Sequence, residues 1–296
     1  MESKEQDKEI PQENQETQQK SETSSPELIY YNLTEEMKAE ALKVINEDAK
    51  PVTDFWYNKH EKDAKRNWDI FYKNNKTNFF KDRHYIDREF TELATIKDSD
   101  KTYTFCELGC GVGNAFFPLI ERFPNLICYG FDFSPRAIQM IKESEIYSKN
   151  KDRIFVEPAD LVLDPIPEYF AKPDFATLIF VLSAIAPENY PMVLDKIAKY
   201  MKPGTILMFR DYGRYDMAQV KFASQKKAKL KDNFYVKSDG TRVYYFTKEE
   251  ITELFTKAGF EEIENDYHCR VVENRKEELK MHRVWLQAKF VYKKAD

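Results

Sequence analysis

Glu107, Gly109, Gly111 and Gly113 fall within one run, FCELGCGVG (105–113), and together they could hold a single ligand. The chain has 8 glycines in 296 residues, and three of them stand here at alternate positions. Glycine reaches positive φ without steric penalty and lets a ligand come close to the backbone. Asp132 ends the next strand candidate, roughly 20 residues on, where an acid meets ribose hydroxyls. The dinucleotide pattern G-x-G-x-x-G would need glycine at position 114, which is Asn114; the pattern here is E-x-G-x-G-x-G. NAD would lay a pyrophosphate over such a turn, whereas S-adenosylmethionine would lay a methionine with a cationic sulfonium. A carboxylate just ahead of the turn favours the cation and disfavours the anion. The cofactor indicated is S-adenosylmethionine.

Two further acids could act in the same place. Asp160 could accept the adenine amino group while Leu161 packs on the ring face. Asp211, in FRDYG, stands at the end of a fifth strand candidate and is expected to face the pocket. The four cysteines (Cys106, Cys110, Cys128 and Cys269) include no second pair at zinc-ligand spacing, so reduced structural thiols and no metal are expected.

These residues need a strand, a tight turn and a helix to position them. YTFCEL (103–108) is the strand, and NAFFPLIERF (114–123) is the helix after the turn. LICYGFD (126–132) and RIFVEPADL (153–161) continue the alternation. DFATLIFVLSAI (174–185) is almost wholly apolar, as a central parallel strand covered on both faces should be, and it contains Ile179. A helix over 187–201, the strand TILMFRDYG (205–213) and a helix opened by the capping box TKEE (247–250) follow. EEIENDYHCRVVEN and HRVWLQAKFVY alternate as a terminal antiparallel pair. The expected fold class is α/β: a class I methyltransferase, Rossmann-like, with a mostly parallel seven-stranded sheet and a C-terminal antiparallel hairpin.

Composition sets the outer limits. The chain is 42% hydrophobic and 15% aromatic with a net charge of −5, enough for an ample core. No apolar run approaches the roughly 20 residues that cross a bilayer, so no membrane partner is expected. Residues 1–25 hold seven acids against three lysines, which accounts for −4 of the net charge and suits a disordered acidic tail. Without an apolar or Arg-rich leader, the expected location is the cytoplasm, with the nucleus also open to it.

Two segments exceed a minimal sheet. The first, 55–90, is dense in aromatics and bases; it belongs to an N-terminal helical extension over 26–95 whose bases could contact RNA. Helical spacing puts Trp68 and Tyr72 on one face. Lys81 and Arg83 follow two phenylalanines in FFKDR. The second is an insertion over 214–246 in the methyltransferase domain of 96–296. Its stretch 215–245 carries seven bases against three acids, among them Lys226, Lys227 and Arg242, and SDG (238–240) suggests a hairpin turn. Bases interleaved with Phe and Tyr suit a phosphate backbone with exposed nucleobases, although a lysine run is just as often a solvated face.

NWDIFYKNNKTNFFKDRHY, CELGCGVGN, DFSPRAI, FVLSAI, FRDYGRYD, NFYVKSDGTRVYYF and RVWLQAKF resemble, in order over 55–292, the eukaryotic methyltransferases that form 3-methylcytidine in the tRNA anticodon loop. The resemblance implies that Trp68 and Tyr72 help enclose S-adenosylmethionine, and that Gly109, Asp132, Asp160, Leu161 and Ile179 line the rest of its pocket. It implies a tRNA anticodon stem-loop as substrate, with position 32 as target and, in some relatives, an aminoacyl-tRNA synthetase or other helper protein. Tyr85 departs from the family, where many members have Trp. Cytosine N3 carries a lone pair at neutral pH, so the reaction needs exposure and alignment of the base rather than a general base. Asp211 is the candidate to stabilise the cationic ring. Two alternatives remain open: a small-molecule methyltransferase, and an RNA-binding protein that has lost catalysis.

Overall fold

A computed structural model describes residues 29–47, 50–75, 83, 86–97, 99–274 and 279–293. The strands, in chain order, are β1 Ile29–Tyr30, β2 Tyr103–Leu108, β3 Leu126–Asp132, β4 Ile154–Pro158, β5 Phe175–Ile179, β6 Ile206–Tyr212, β7 Lys229–Lys231, β8 Phe234–Val236, β9 Arg242–Tyr244, β10 Phe260–Asn274 and β11 Leu279–Tyr292. The helices are α1 Glu35–Asn46, α2 Asp54–Asn75, α3 Ile86–Glu89, α4 Phe116–Arg122, α5 Pro135–Lys142, α6 Glu145–Lys149, α7 Tyr190–Tyr200, α8 Met217–Ala223 and α9 Lys248–Lys257.

The main sheet runs β1-β10-β11-β6-β5-β2-β3-β4. β4, β3, β2, β5 and β6 are parallel neighbours, and β11 then pairs antiparallel with both β6 and β10. The seven expected strands are present, and β1 adds a two-residue eighth at the edge. Alternation along each strand divides the core into two layers. Cys106, Leu108, Leu207 and Phe209 point into one layer, with α7 and α9. Phe105 and Met208 point into the other, with α4 and α5.

Local signals explain most boundaries. Thr247 and Glu250 form the reciprocal capping box of α9, and Gly259 takes φ 93 just beyond that helix. The apolar run 174–185 is not one long strand, however. β5 stops at Ile179, Phe180 adopts φ 56, and Leu182–Ala184 form a 3₁₀ turn. Likewise β4 ends at Pro158, short of the expected Leu161.

The insertion forms its own antiparallel sheet, β7-β8-β9, with Gly240 at φ 79 in the SDG turn. Ala41 and Ile45 of α1 pack with Tyr235, Val243 and Tyr245 of this insertion. The weakly patterned segment ahead of residue 54 thus joins the insertion in one layer beside the sheet.

Candidate active site

A cavity of about 490 Å3 lies between α2 and the C-terminal ends of β2, β3 and β5. Its floor is the glycine turn. The amides of Gly109 and Cys110 both donate to the Phe131 carbonyl at 2.9 Å, which folds the turn onto β3. Gly109 has φ 75, and a Cβ there would lie 2.5 Å from Val181 Cγ2. A Cβ at Gly111, with φ 52, would meet Tyr72 Oη at 2.8 Å. These two glycines line the cavity. Gly113 is behind it, where its missing Cβ gives room to the Phe116 and Phe117 rings. Its contribution is to the turn rather than to the cavity wall.

Glu107 lines the cavity at 5% exposure, and its Oε2 accepts from the Phe116 amide at 3.3 Å. Burial pushes its carboxyl up to about 8, against the pull of the Arg83 charge. Asp132 Oδ2 accepts from the Gly111 amide at 3.0 Å and Oδ1 from the Ser134 amide at 2.9 Å. Burial raises it to about 6. Asp160 and Leu161 also line the cavity, and Asp160 Oδ1 accepts from the Val162 amide at 2.8 Å. Ile179 adds a further apolar lining residue.

α2 is the roof. Trp68 and Tyr72 both face the cavity, with ring centroids 5.9 Å apart, and Tyr72 is 6% exposed. Several ties fasten this helix. Asn67 Nδ2 donates to the Gly240 carbonyl at 2.9 Å, and Tyr57 Oη donates to Glu188 at 2.7 Å. Glu61 pairs with Arg242, and the Ser134 hydroxyl donates to Asp69.

Other expected site residues are placed differently. Asp211 is fully buried but does not line the cavity. Its Oδ2 accepts from the Ser183 amide at 2.9 Å and its Oδ1 from the Tyr212 amide at 2.9 Å. The turn after β5 covers the end of β6 and claims the carboxylate, whose burial raises it to about 7. The expected exposure to substrate is thus corrected. Arg242 is also not an outer surface residue. It is 6% exposed, pairs with Glu61, and donates to the Ala184 carbonyl at 2.9 Å. It therefore acts as a strut between roof and turn, since a buried guanidinium must satisfy its donors internally.

Arg83 enters the cavity and stacks over the Phe180 ring, 5.3 Å from its centroid. Lys226 and Lys227 are exposed, whereas Lys229 pairs with Asp232 and Lys231 with Glu188. Lys81 lies outside the described residues. Among the cavity-lining residues missed from sequence are Glu61, Phe180 and Val181. FVLSAI carried a signal for the last two; Glu61 had none, because its partner is 181 positions away.

The set fits S-adenosylmethionine. Two glycines leave open backbone, Asp132 stands at the ribose position, Leu161 and Ile179 offer an apolar wall, and Glu107 suits a cation. The volume is in the range of small-molecule sites, roughly 300–1,000 Å3. No group of three or more His, Cys, Asp or Glu side chains comes together as a metal site among the described residues, and none of their helices is long and apolar enough to cross a membrane.

Sheet order, glycine cradle and flanking acids define an S-adenosylmethionine-dependent class I methyltransferase. A methyltransferase-domain family profile matches residues 58–265. Among solved structures, an S-adenosylmethionine-dependent methyltransferase from Methanosarcina mazei is 15% identical with a TM-score of 0.51, covering 70% of this chain and 99% of that one. Burkholderia thailandensis 1,6-didemethyltoxoflavin-N1-methyltransferase is 14% identical with a TM-score of 0.54, covering 83% and 93%. Both share the fold. Human tRNA N(3)-cytidine methyltransferase METTL6 is 44% identical over 258 residues, 86% of this chain and 89% of that protein. The Schizosaccharomyces pombe tRNA N(3)-methylcytidine methyltransferase trm141 is 42% identical over 246 residues, 82% and 97%. The tRNA(Thr) (cytosine(32)-N(3))-methyltransferase of Saccharomyces cerevisiae is 42% identical over 265 residues, which cover 86% of this chain and 41% of the yeast protein. The chain belongs to the tRNA N3-cytidine methyltransferase family.

Proposed function

We propose that this protein methylates N3 of a cytidine in tRNA, at position 32 of the anticodon loop, with S-adenosylmethionine as donor. The observation that carries this reading is the likeness to METTL6 over 86% of the chain, a span that includes both segments beyond the minimal sheet. The position follows the yeast relative's name. Action in the cytoplasm, with help from an aminoacyl-tRNA synthetase or another protein, belongs to the same proposal.

The donor supplies an electrophilic methyl group on a cationic sulfur. Cytosine N3 would take that methyl with its own lone pair as the sulfur–carbon bond breaks, which would leave neutral sulfur on the donor and the positive charge on the base. The protein's share of the work is placement. Glu107 marks the end of the cradle suited to a cation, Asp132 fixes the turn through Gly111, and Trp68 and Tyr72 roof the cavity. Asp211 works at one remove, holding the turn after β5 that borders the cavity. Alignment of this kind is the main contribution open to an enzyme whose nucleophile needs no deprotonation.

The test is transfer of labelled methyl to total tRNA by the purified chain, with and without added aminoacyl-tRNA synthetases. Nucleoside mass spectrometry should find 3-methylcytidine, and sequencing should place it at position 32. Cofactor binding without tRNA methylation in any arm would favour a small-molecule enzyme. No cofactor binding at all would favour an RNA-binding protein without catalysis.

A further inference from the structure

Phe180 is a bulky residue held in the left-handed region, at φ 56. An L side chain adopts this conformation only where the surroundings impose it, and such outliers gather at functional sites. The Phe180 amide donates to the Arg210 carbonyl at 2.8 Å, which keeps the backbone attached to β6 while the chain turns away. The neighbouring Val181 covers Gly109, so this turn sits directly against the cradle.

The ring is held from two sides. Tyr212 lies 4.9 Å away by centroid at an interplanar angle of 48°, and the Arg83 guanidinium is 5.3 Å from the ring centroid. Val181 meets Gly109 two residues from Glu107, which brings the adjoining Phe180 near that acid. Despite these contacts the ring is only partly buried, and it lines the cavity. A large aromatic face left open to the cavity at a strained position is placed to receive an occupant.

Resting on the function proposed above, we propose that Phe180 is the stacking platform for the target cytosine. A base drawn out of its loop loses its stacking neighbours, and an aromatic wall replaces them. The left-handed backbone turns the ring toward the cavity, where a regular strand continuation would carry it onward along the sheet. Arg83 and Tyr212 hold the ring in one orientation, so the pyrimidine meets a fixed plane beside the cation-suited end of the cradle.

Phe180→Leu keeps an apolar side chain of similar length and the same backbone strain but removes the π face; Phe180→Tyr keeps the face. Single-turnover methyl transfer to tRNA at saturating cofactor should fall about 10- to 100-fold in the Leu variant, the range of one base–aromatic stack. The Tyr variant should stay close to wild type, and calorimetric cofactor affinity should be unchanged in both. A Leu variant as fast as wild type overturns the proposal, as does loss of cofactor affinity in both variants. Should the Leu variant melt, wild-type protein answers with a tRNA carrying a fluorescent cytosine analogue at the target. Stacking should quench its emission on binding, and an unquenched complex overturns the proposal. A wild-type protein that methylates no tRNA sinks the underlying function instead, which keeps the two failures apart.

Discussion

Asp211 Oδ2 accepts a hydrogen bond from the Ser183 amide at 2.9 Å, joining the end of β6 to the turn that leaves β5. The acid is thus a fastening beneath the cavity wall. Asp211→Asn keeps the shape but can set an amide NH2 against one of two buried N–H donors. We expect a loss of about 1–3 kcal/mol in stability, the penalty of stranding a buried donor. Displacing the turn should also slow single-turnover methyl transfer about 10- to 100-fold. A thermal melt paired with single-turnover kinetics checks this. An unchanged melt with a much slower rate would mean that the charge acts on the reacting base instead.

Glu107 predicts a pH dependence for cofactor binding. Its carboxyl stands near 8 in the folded protein against an ordinary 4.5, so between those values the folded chain holds a proton that the unfolded chain has released. The stability linked to this proton is present at low pH and lost as pH rises through about 8. A bound cation favours the carboxylate and lowers its pKa. S-adenosylmethionine should therefore bind more tightly as pH rises from 6 toward about 8, with release of a proton. Calorimetry in buffers of differing ionisation enthalpy measures both. Glu107→Gln should weaken binding and flatten the curve; a variant with the wild-type curve would remove Glu107 from the cofactor site.

Lys226 and Lys227 separate a solvated face from an RNA contact. Both are exposed, whereas Lys229 and Lys231 are paired with Asp232 and Glu188. Replacing Lys226 and Lys227 by Ala should weaken tRNA binding and lower the slope of log affinity against log salt by roughly 1–2. The Lys229 and Lys231 pair, already neutralised, should leave that slope near wild type. Anisotropy titrations across a salt series decide it, and equal slopes for the first pair and wild type would make the run a solvated face.

What could be read from sequence was local. β2 and β3 coincide with YTFCEL and LICYGFD because their apolar runs are short and end in turn residues. The glycine turn and Asp132 were legible for a related reason: their chemistry lies in residue type and near spacing. Asp211 and Arg242 were misplaced because burial depends on distant partners. Arg242 meets a carboxylate 181 residues away, and composition around it gives no hint of that. The run 174–185 exceeded its strand because hydropathy cannot register the reversal at Phe180, a matter of backbone angle.

The bond from Asn67 to the Gly240 carbonyl spans 173 positions, and a Cβ at Gly240 would lie 2.7 Å from Asn67 Nδ2. With Arg242–Glu61 beside it and the Lys231 ammonium 4.4 Å from the Tyr57 ring centroid, the insertion and the roof helix share one set of rivets. The insertion is therefore not a detachable accessory. An engineer who trimmed it to reach a minimal methyltransferase, or exchanged it to redirect the enzyme to another RNA, would also unfasten the chamber that holds the methyl donor. Any graft at this position has to bring along a matching α2.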